Sequence, residues 1–213
     1  MEQPLAILMA DLSGYSALTE THGATSAADL IDRYVGLVED SLVGDCKLTE
    51  RRGDEVMIVA REPDHLLATA VMILKNAAGE DNFLQIHGGL HYGTVLTRNN
   101  SYFGSAINLT ARITSKAGPG TFWCSGDFLN ALVNRTIFNL QAKGKHRFKN
   151  ISEEIEIVEL AGESQAPVFI DPVCRMIIVN KETAVKYPDA EDIFFCSNDC
   201  FDIYKSVEFS KSR

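Results

Sequence analysis

The sequence has no long apolar run and no excess of positive charge. Its longest largely apolar stretch, residues 66–74, is far shorter than the roughly 20 residues that a membrane-spanning helix needs. The N-terminus lacks the basic region that opens a signal peptide. A formal net charge of −9 argues against the positive surface that binding to a nucleic-acid backbone requires. These absences predict a cytoplasmic protein with neither a membrane nor a nucleic acid as its partner.

Cysteine is scarce and unevenly placed. Three of the five cysteines lie after residue 170, which in a reducing compartment favours metal or redox chemistry over structural disulfides. Cys46 and Cys124 lie in apolar, strand-like segments and are expected to be core residues. With 46% apolar and 23% charged residues over 213 positions, the chain is typical of a globular domain with a small appendage.

Two acidic residues stand at the ends of apolar, strand-like segments. The segment that begins at Ile7 ends at Asp11, and a second segment passes through Gly53 and Asp54 into apolar residues 56–60. Strands that are apolar on both faces are buried in a sheet. If the two strands are neighbours, the two carboxylates lie side by side. They then repel each other unless a cation lies between them, and hard oxygen ligands suit Mg²⁺ that carries a phosphate substrate.

The remaining pattern predicts a sheet covered by helices. The predicted order is strand, helix, two strands, helix, strand, which favours an open sheet with its helices on one face. Residues 26–43 have helical spacing, and Asp64 is the expected N-cap of the second helix, which ends at Gly79. Residues 84–90 and 92–96 are predicted to form a hairpin.

The next part of the chain is predicted to contain a helix and several strands. A helix over residues 105–116 would place Asn108 and Arg112 on one face, because they are four positions apart. Final strands are predicted over 146–149 and 155–160. A polar spacer that ends at Pro167 is the predicted boundary between a domain over residues 1–162 and a linker with a small module over 163–213.

Residues 5–160 resemble the class III nucleotidyl cyclases, the family that makes cyclic AMP or cyclic GMP. The family's motifs occur in order at Asp11-Leu-Ser-Gly-Tyr-Ser16, Gly53-Asp54, His91-Tyr-Gly93, Tyr102-Phe-Gly-Ser-Ala-Ile-Asn-Leu-Thr-Ala-Arg112 and Arg147-Phe-Lys-Asn150. The resemblance implies an α+β, ferredoxin-like domain, in which helices pack on an antiparallel-rich sheet. It also implies an enzyme that converts a purine nucleoside triphosphate to the 3′,5′-cyclic monophosphate and pyrophosphate.

The resemblance assigns roles to five of these residues. Asp11, Leu12 and Asp54 would hold two Mg²⁺ or Mn²⁺ ions, which lower the pKa of the attacking ribose hydroxyl and hold the leaving oxygens. Asn108 would orient the ribose. Arg112 would meet the negative charge that develops on the transferred phosphoryl group.

The family resemblance also implies a homodimer with composite sites. One chain would supply the two aspartates, and the other would supply the base pocket, Asn108 and Arg112. Lys149 falls near the position of the family's phosphate-binding lysine. Dimerisation would then be a condition of activity.

Two positions of the base pocket differ from the pattern of adenylate cyclases. Glu50 stands where those enzymes usually carry lysine, and Ser101 where they usually carry aspartate or threonine. A carboxylate accepts hydrogen bonds from N1 and N2 of guanine, and adenine offers no such edge. The pair therefore favours GTP over ATP. Arg51 and Arg52 offer Glu50 alternative partners.

The C-terminal residues 168–205 resemble the YHS domain, a small metal-associated module. The similarity rests on Asp171-Pro-Val-Cys-Arg-Met176 and Phe194-Phe-Cys-Ser-Asn-Asp-Cys200. Cys174, Cys196 and Cys200 would bind Zn²⁺ or Cu⁺, because thiolates select soft or borderline metals. A closed zinc site needs a fourth ligand, which Asp171 or Met176 would supply. The three thiols are equally compatible with a reduced, packed cluster.

Three hypotheses follow for the function. The first is a homodimeric purine nucleotidyl cyclase. The second is a catalytically silent, cyclase-like module that senses a nucleotide or a metal, and the unusual residues Glu50 and Ser101 motivate it. In the third, the C-terminal module regulates the cyclase through its metal or redox state.

Overall fold

The computed structural model describes residues 2–99, 101–135, 138–160, 169–174, 177–178, 181–188, 190 and 192–211. Eight strands form the main sheet: β1 (Glu2–Leu12), β2 (Lys47–Arg52), β3 (Glu55–Ala60), β4 (Ile86–Arg98), β5 (Ser101–Phe103), β6 (Phe122–Ser125), β7 (Leu140–His146) and β8 (Ile155–Leu160). Four helices accompany them: α1 (Tyr15–Asp40), α2 (Pro63–Ala78), α3 (Ser105–Thr114) and α4 (Gly126–Ala131).

The strand order is β2-β3-β1-β4-β6-β8-β7, and β5 pairs with β4. The β4–β6 pair is parallel, and the other described pairs of this sheet are antiparallel. This arrangement confirms the expected α+β architecture with an antiparallel-rich sheet. It also places β1 between β3 and β4, so that β1 and β3 are neighbours, as the predicted proximity of Asp11 and Asp54 requires.

Helices cover both faces of the sheet, which corrects the expectation of a single covered face. Alternate residues of a strand point to opposite faces. The side chains of Ala6 and Leu8 lie in the core beneath α1 and α2, whereas those of Leu5 and Ile7 lie in a second cluster with Ala106 of α3. Because β1 is apolar at consecutive positions, both of its faces can be buried.

The predicted hairpin over residues 84–96 is wrong, because these residues form the single strand β4. All eleven residues of β1 pair with it, from Glu2 opposite Leu96 to Leu12 opposite Ile86. The glycines in this stretch allow close packing and do not mark a turn: an ideal Cβ at Gly89 would lie 2.6 Å from the backbone nitrogen of Thr114.

Two smaller predictions also need correction. Asp64 does not cap α2, because the helix begins one residue earlier, at Pro63, where the missing N–H of proline costs nothing. The carboxylate of Asp64 instead accepts hydrogen bonds from the amides of Val133 and Asn134 at 2.9 and 2.8 Å. The strand expected at residues 146–149 lies earlier, at β7, because Phe148 turns into the core beside Ile113.

The C-terminal residues contain short pairs of strands and one helix. The strands are β9 (Phe169–Ile170), β10 (Ile177–Ile178), β11 (Val185–Lys186) and β12 (Phe194–Phe195), and the helix is α5 (Asn198–Lys211). The predicted boundary at residues 162–167 lies outside the described residues. None of the helices in the described ranges is both long enough and apolar enough to span a bilayer.

Candidate active site

Asp11 and Asp54 meet at one end of the central strands. Asp11 lies at the exit of β1, and Asp54 lies in the turn between β2 and β3, which pairs with β1 up to Val56 opposite Ala10. Gly53 adopts a φ of 62° in this turn, a backbone conformation that favours glycine. The two carboxyl groups lie close enough for Asp11 to change the pKa of Asp54. The predicted proximity of the two acids is therefore confirmed, and their role is still a prediction.

The environment of the pair makes Asp54 easier to protonate than an isolated aspartate. Desolvation, the adjacent carboxyl group of Asp11 and its negative charge together raise the pKa of Asp54 from 3.8 to about 6, against smaller opposing effects of its own backbone and of His87. Two carboxylates held this close together would be stabilised by a divalent cation between them.

His87 and Ser13 lie beside the acids. His87 is opposite Asp11 in the β1–β4 register, and its Nδ1 atom is 2.9 Å from Oγ of Ser13. Burial lowers the pKa of His87, and the charge of Asp54 partly opposes this effect. The imidazole is therefore neutral at neutral pH. Its contact with Ser13 gives the imidazole a local hydrogen-bond partner.

The sequence interpretation did not assign Tyr34 to this site. Its periodicity predicted a buried position on α1, and the side chain is indeed fully buried. The Oη atom has no hydrogen-bond partner among the described residues. Its electrostatic neighbours are Asp11, Asp54 and Glu55, and Ile31 and Val35 of the same helix line a cavity with Gly53, the neighbour of Asp54.

The residues present fit Mg²⁺ or Mn²⁺. Asp11 and Asp54 offer hard carboxylate oxygens, and the buried hydroxyl of Tyr34 is an additional polar group without a partner in the described structure. The side chain of Leu12 is 2% exposed and apolar, so this residue can contribute a ligand only through its main chain. Each donor is hard, which excludes a preference for soft metals here.

The helix α3 presents Asn108 and Arg112 away from the core. Ala106, Leu109 and Ile113 are buried, whereas Asn108 is exposed and Arg112 is half-buried. The amphipathic pattern of the helix thus leaves both polar side chains accessible. Within the described chain, no hydrogen bond or ion pair joins either of them to the acid pair.

A β-bulge determines where Glu50 points. Leu48 pairs with Ile58, but the next pair is Glu50 with Met57, so Thr49 is the extra residue. Its hydroxyl donates to the carbonyl oxygen of Met57 at 3.1 Å. Met57 belongs to the cluster on the α3 face, so the bulge directs Glu50 to that face. Without it, Glu50 would project to the opposite face.

The other predicted pocket residues have distinct positions. Glu50 is exposed, and across the described residues it forms no ion pair with Arg51 or Arg52. Ser101 is half-buried at the start of β5, opposite Arg98. Lys149 is exposed in a turn next to Phe148, which packs in the same cluster as Leu109 of α3.

Known proteins with this architecture identify the fold. The adenylyl cyclase CyaB from P. aeruginosa superposes with a TM-score of 0.66, covering 78% of this chain and 97% of that structure at 17% identity. The guanylyl cyclase Cya2 gives a TM-score of 0.64 over 78% of this chain and 95% of that structure at 19% identity. The chain has the fold of a class III nucleotidyl cyclase domain.

Curated relatives of the cyclase-like domain carry matching names. An adenylate cyclase from Glutamicibacter nicotianae is 29% identical over 167 residues, which is 78% of this chain and 41% of that protein. The chain spans between 27% and 41% of the length of the curated relatives compared with it. No family model matches the chain, so the resemblance of its C-terminal residues to the YHS domain stays a prediction.

Beyond the cyclase-like domain, three cysteines converge. The Sγ atom of Cys196 lies 3.4 Å from that of Cys174 and 3.7 Å from that of Cys200. Thiolates of a tetrahedral zinc site lie about 3.8 Å apart when each Zn–S bond is about 2.3 Å. With Asp171, the potential ligand atoms all lie within 4.8 Å of one another. The geometry fits a thiophilic metal ion.

Asp171 already has partners for its carboxylate. Its Oδ1 atom accepts hydrogen bonds from the amides of Val173 and Cys174 at 2.8 and 3.2 Å, and its Oδ2 atom accepts one from Cys196 at 2.7 Å. Burial alone would raise its pKa, but these amides outweigh that effect and lower the pKa of Asp171. Asp171 therefore joins the two cysteine-bearing segments. Met176, the other predicted fourth ligand, lies outside the described residues.

Proposed function

We propose that the domain is a nucleotidyl cyclase that converts a purine nucleoside triphosphate to the 3′,5′-cyclic monophosphate and pyrophosphate. The observation that carries this proposal is the pairing of β1 with β3, which brings Asp11 and Asp54 together at one end of the two strands. The fold and the names of the relatives support the same reaction class.

We assign Asp11 and Asp54 to the activation of the ribose hydroxyl that attacks the phosphate. A divalent ion held there supplies positive charge that lowers the pKa of the ribose 3′ hydroxyl and neutralises the departing pyrophosphate. Asp11 and Asp54 position that charge next to the α-phosphorus. The main chain of Leu12 completes the proposed ligand set.

We assign Asn108 and Arg112 of α3 to the ribose and to the transferred phosphoryl group. Arg112 donates from its planar guanidinium to the phosphoryl oxygens, where negative charge grows in the transition state. Asn108 holds the ribose so that its 3′ oxygen is in line with the leaving group. Lys149 binds the phosphates from the neighbouring turn.

Two copies of the chain are needed to assemble this set. In one chain Asn108 and Arg112 have no contact with the acid pair among the described residues, and a two-fold dimer would bring them from the partner. An exposed apolar pair supports such an interface: Leu96 and Phe103 are opposite each other on β4 and β5, and they are 37% and 51% exposed.

The bulge at Thr49 supports GTP as the preferred substrate. It places Glu50 on the face of the sheet that α3 covers, so that Glu50, Asn108 and Arg112 can face one nucleotide. A carboxylate there accepts hydrogen bonds from N1 and N2 of guanine. Ser101, with a hydroxyl that both donates and accepts, is compatible with either purine.

The direct test is to incubate the pure protein with Mg²⁺ or Mn²⁺ and each of the four nucleoside triphosphates. The expected result is a cyclic product and pyrophosphate, with kcat/KM highest for GTP. Saturable nucleotide binding without a product would instead support the silent, sensing module. A higher kcat/KM for ATP would keep the cyclase and remove the proposed role of Glu50.

Mixing two inactive variants tests the composite site. Asp54→Asn and Arg112→Ala homodimers are each expected to be inactive, whereas a heterodimer has one intact site. Random pairing of equal amounts should restore roughly a quarter of the wild-type activity. The measurement is the rate of cyclic nucleotide formation after the two proteins are mixed and allowed to exchange. If the activity stays at the level of the single variants, the acids and Arg112 do not act across an interface.

We further propose that Cys174, Cys196 and Cys200 bind Zn²⁺ or Cu⁺. Desolvation, together with the nearby Asp171 carboxylate and the two other thiols, raises the pKa of Cys196 to about 12. Cys196 therefore carries its proton in the metal-free protein, and metal binding there must release it. Asp171 is assigned a structural role because its oxygens already accept three amide hydrogen bonds.

A competition titration tests the thiol cluster. The reduced full-length protein is titrated with Zn²⁺ or Cu⁺ against a chromophoric chelator, with one equivalent bound as the expected result. Cys196→Ser should weaken binding by more than the roughly 10–100-fold that loss of a supporting contact costs. Cys124→Ala, which removes a buried thiol elsewhere, is the control and should bind normally. Equal binding by both variants would identify the cluster as packed thiols.

A further inference from the structure

The hydroxyl of Tyr34 is a buried donor without a partner. The side chain lies on α1 with 0% of its surface exposed, and Oη has no hydrogen-bond partner in the part of the chain that the structure describes. An unpaired buried polar group costs about 1–3 kcal/mol. Tyrosine is therefore less favourable than phenylalanine at this position for the stability of the fold. The hydroxyl is thus expected to serve something other than folding.

The surroundings of this hydroxyl suggest what it serves. The charged groups that act on it belong to Asp11 and Asp54, and then to Glu55. Tyr34 also belongs to the buried cluster that contains Ala10, Leu12 and Val56, which adjoin the two acids along β1 and β3, and a phenol is able to donate a hydrogen bond. In the cation-free structure no oxygen of Asp11 or Asp54 accepts a hydrogen bond from Oη.

We propose that Tyr34 is a positioning residue, whose hydroxyl donates to a carboxylate oxygen of the Asp11–Asp54 pair when that pair holds a divalent cation. A cation held by the pair would reorient the two carboxylates, and an oxygen that does not coordinate it would become the acceptor. A hydrogen bond from the buried ring then fixes the orientation of the carboxylate. Such supporting contacts to metal ligands are worth about 10–100-fold in metal affinity. This inference rests on the proposed cation site.

The test compares Tyr34→Phe with the wild type in the absence of nucleotide. Mn²⁺ binding is followed by the loss of the electron paramagnetic resonance signal of free Mn²⁺. The variant should bind about 10–100-fold more weakly, while its metal-free melting temperature stays the same or rises because an unpaired hydroxyl is removed. Added Mn²⁺ should also raise the melting temperature of the variant less than that of the wild type.

Tyr92→Phe is the matched control. It removes a hydroxyl from a half-buried tyrosine packed on the same core, opposite Ala6 and therefore five residues from Asp11 along β1. Its Mn²⁺ affinity should equal that of the wild type.

The remaining outcomes distinguish failure of the cation site from failure of the role of Tyr34. If the wild type does not bind Mn²⁺, the acid pair is not a cation site and the role of Tyr34 is lost with it. If the wild type binds and Tyr34→Phe binds equally well, only the positioning role is overturned. A Tyr34→Phe protein that binds weakly and also melts at a lower metal-free temperature would show that the hydroxyl is structural, which overturns the positioning role as well.

Discussion

Asp54→Asn is expected to abolish cyclic nucleotide formation and at the same time to raise the melting temperature of the metal-free protein. The amide cannot replace a carboxylate ligand, so the cation site is lost. The amide also removes the charge whose desolvation and repulsion by Asp11 raise the pKa of Asp54 to about 6. Repulsion between partly exposed groups is worth at most about 1 kcal/mol, so the melting temperature should rise by no more than roughly 2–4 °C.

The pH dependence of this effect has a defined sign. Because the pKa of Asp54 is higher in the folded protein than the ordinary 3.8, the folded state binds more protons than the unfolded state between about pH 4 and 6. The contribution of Asp54 to stability therefore falls as the pH rises through this window. The advantage of Asp54→Asn over the wild type should be small at pH 4 and fully developed at pH 7, as measured by thermal unfolding in EDTA.

Asp29→Asn is the control for this prediction. It removes one negative charge from an exposed position on α1, and it should leave both activity and melting temperature near those of the wild type. If Asp54→Asn lowers the metal-free melting temperature at pH 7, the two carboxyls do not repel each other in the folded chain. Retention of activity by Asp54→Asn would remove it from the ligand set.

Arg112→Ala is expected to lower kcat by about 10²–10³-fold, equivalent to roughly 2.7–4 kcal/mol of transition-state stabilisation. The guanidinium would interact most strongly with charge that exists only in the transition state, so KM for the triphosphate should change much less than kcat. Because Arg112 is half-buried on the surface of α3 and its core neighbours are apolar, the domain should keep its stability. Steady-state kinetics and thermal unfolding measure the two effects.

Arg147→Ala is the matched control for Arg112→Ala. Its side chain is 85% exposed and pairs with Glu154, and an exposed pair of this kind contributes about 0–1 kcal/mol. The control should therefore keep wild-type kinetics. Equal losses in the two variants would point to a general effect of positive charge. A rise in KM with unchanged kcat in Arg112→Ala would mean that the residue only binds the substrate.

The sequence was sufficient to predict the part of the site that follows from strand order. Asp11 and Asp54 each end an apolar segment, so neighbouring strands had to bring them together. Asn108 and Arg112 follow from helical spacing alone. These features depend on short stretches of chain and on one pairing, which local periodicity and burial already specify.

The remaining features depend on contacts between distant segments. The glycines of β4 resembled turn residues, and only the approach of α3 to Gly89 shows why they are needed. Lys149 lies in a turn because Phe148 packs beneath α3. Tyr34 was predicted to be buried, but its position near the acid pair depends on how α1 crosses the sheet. The face of the sheet to which Glu50 points depends on the β-bulge in β2.

That bulge has a consequence for how substrate choice can change over time. Because side chains alternate along a strand, a regular pairing of Thr49 with Met57 would turn Glu50 toward the face occupied by α1. A shift in strand pairing would then move the carboxylate proposed to read the purine to the other face of the sheet, without a change of residue at this position. Comparisons that align only the residue types would overlook such an event, since the proposed nucleotide selectivity depends on strand pairing as well as on residue identity.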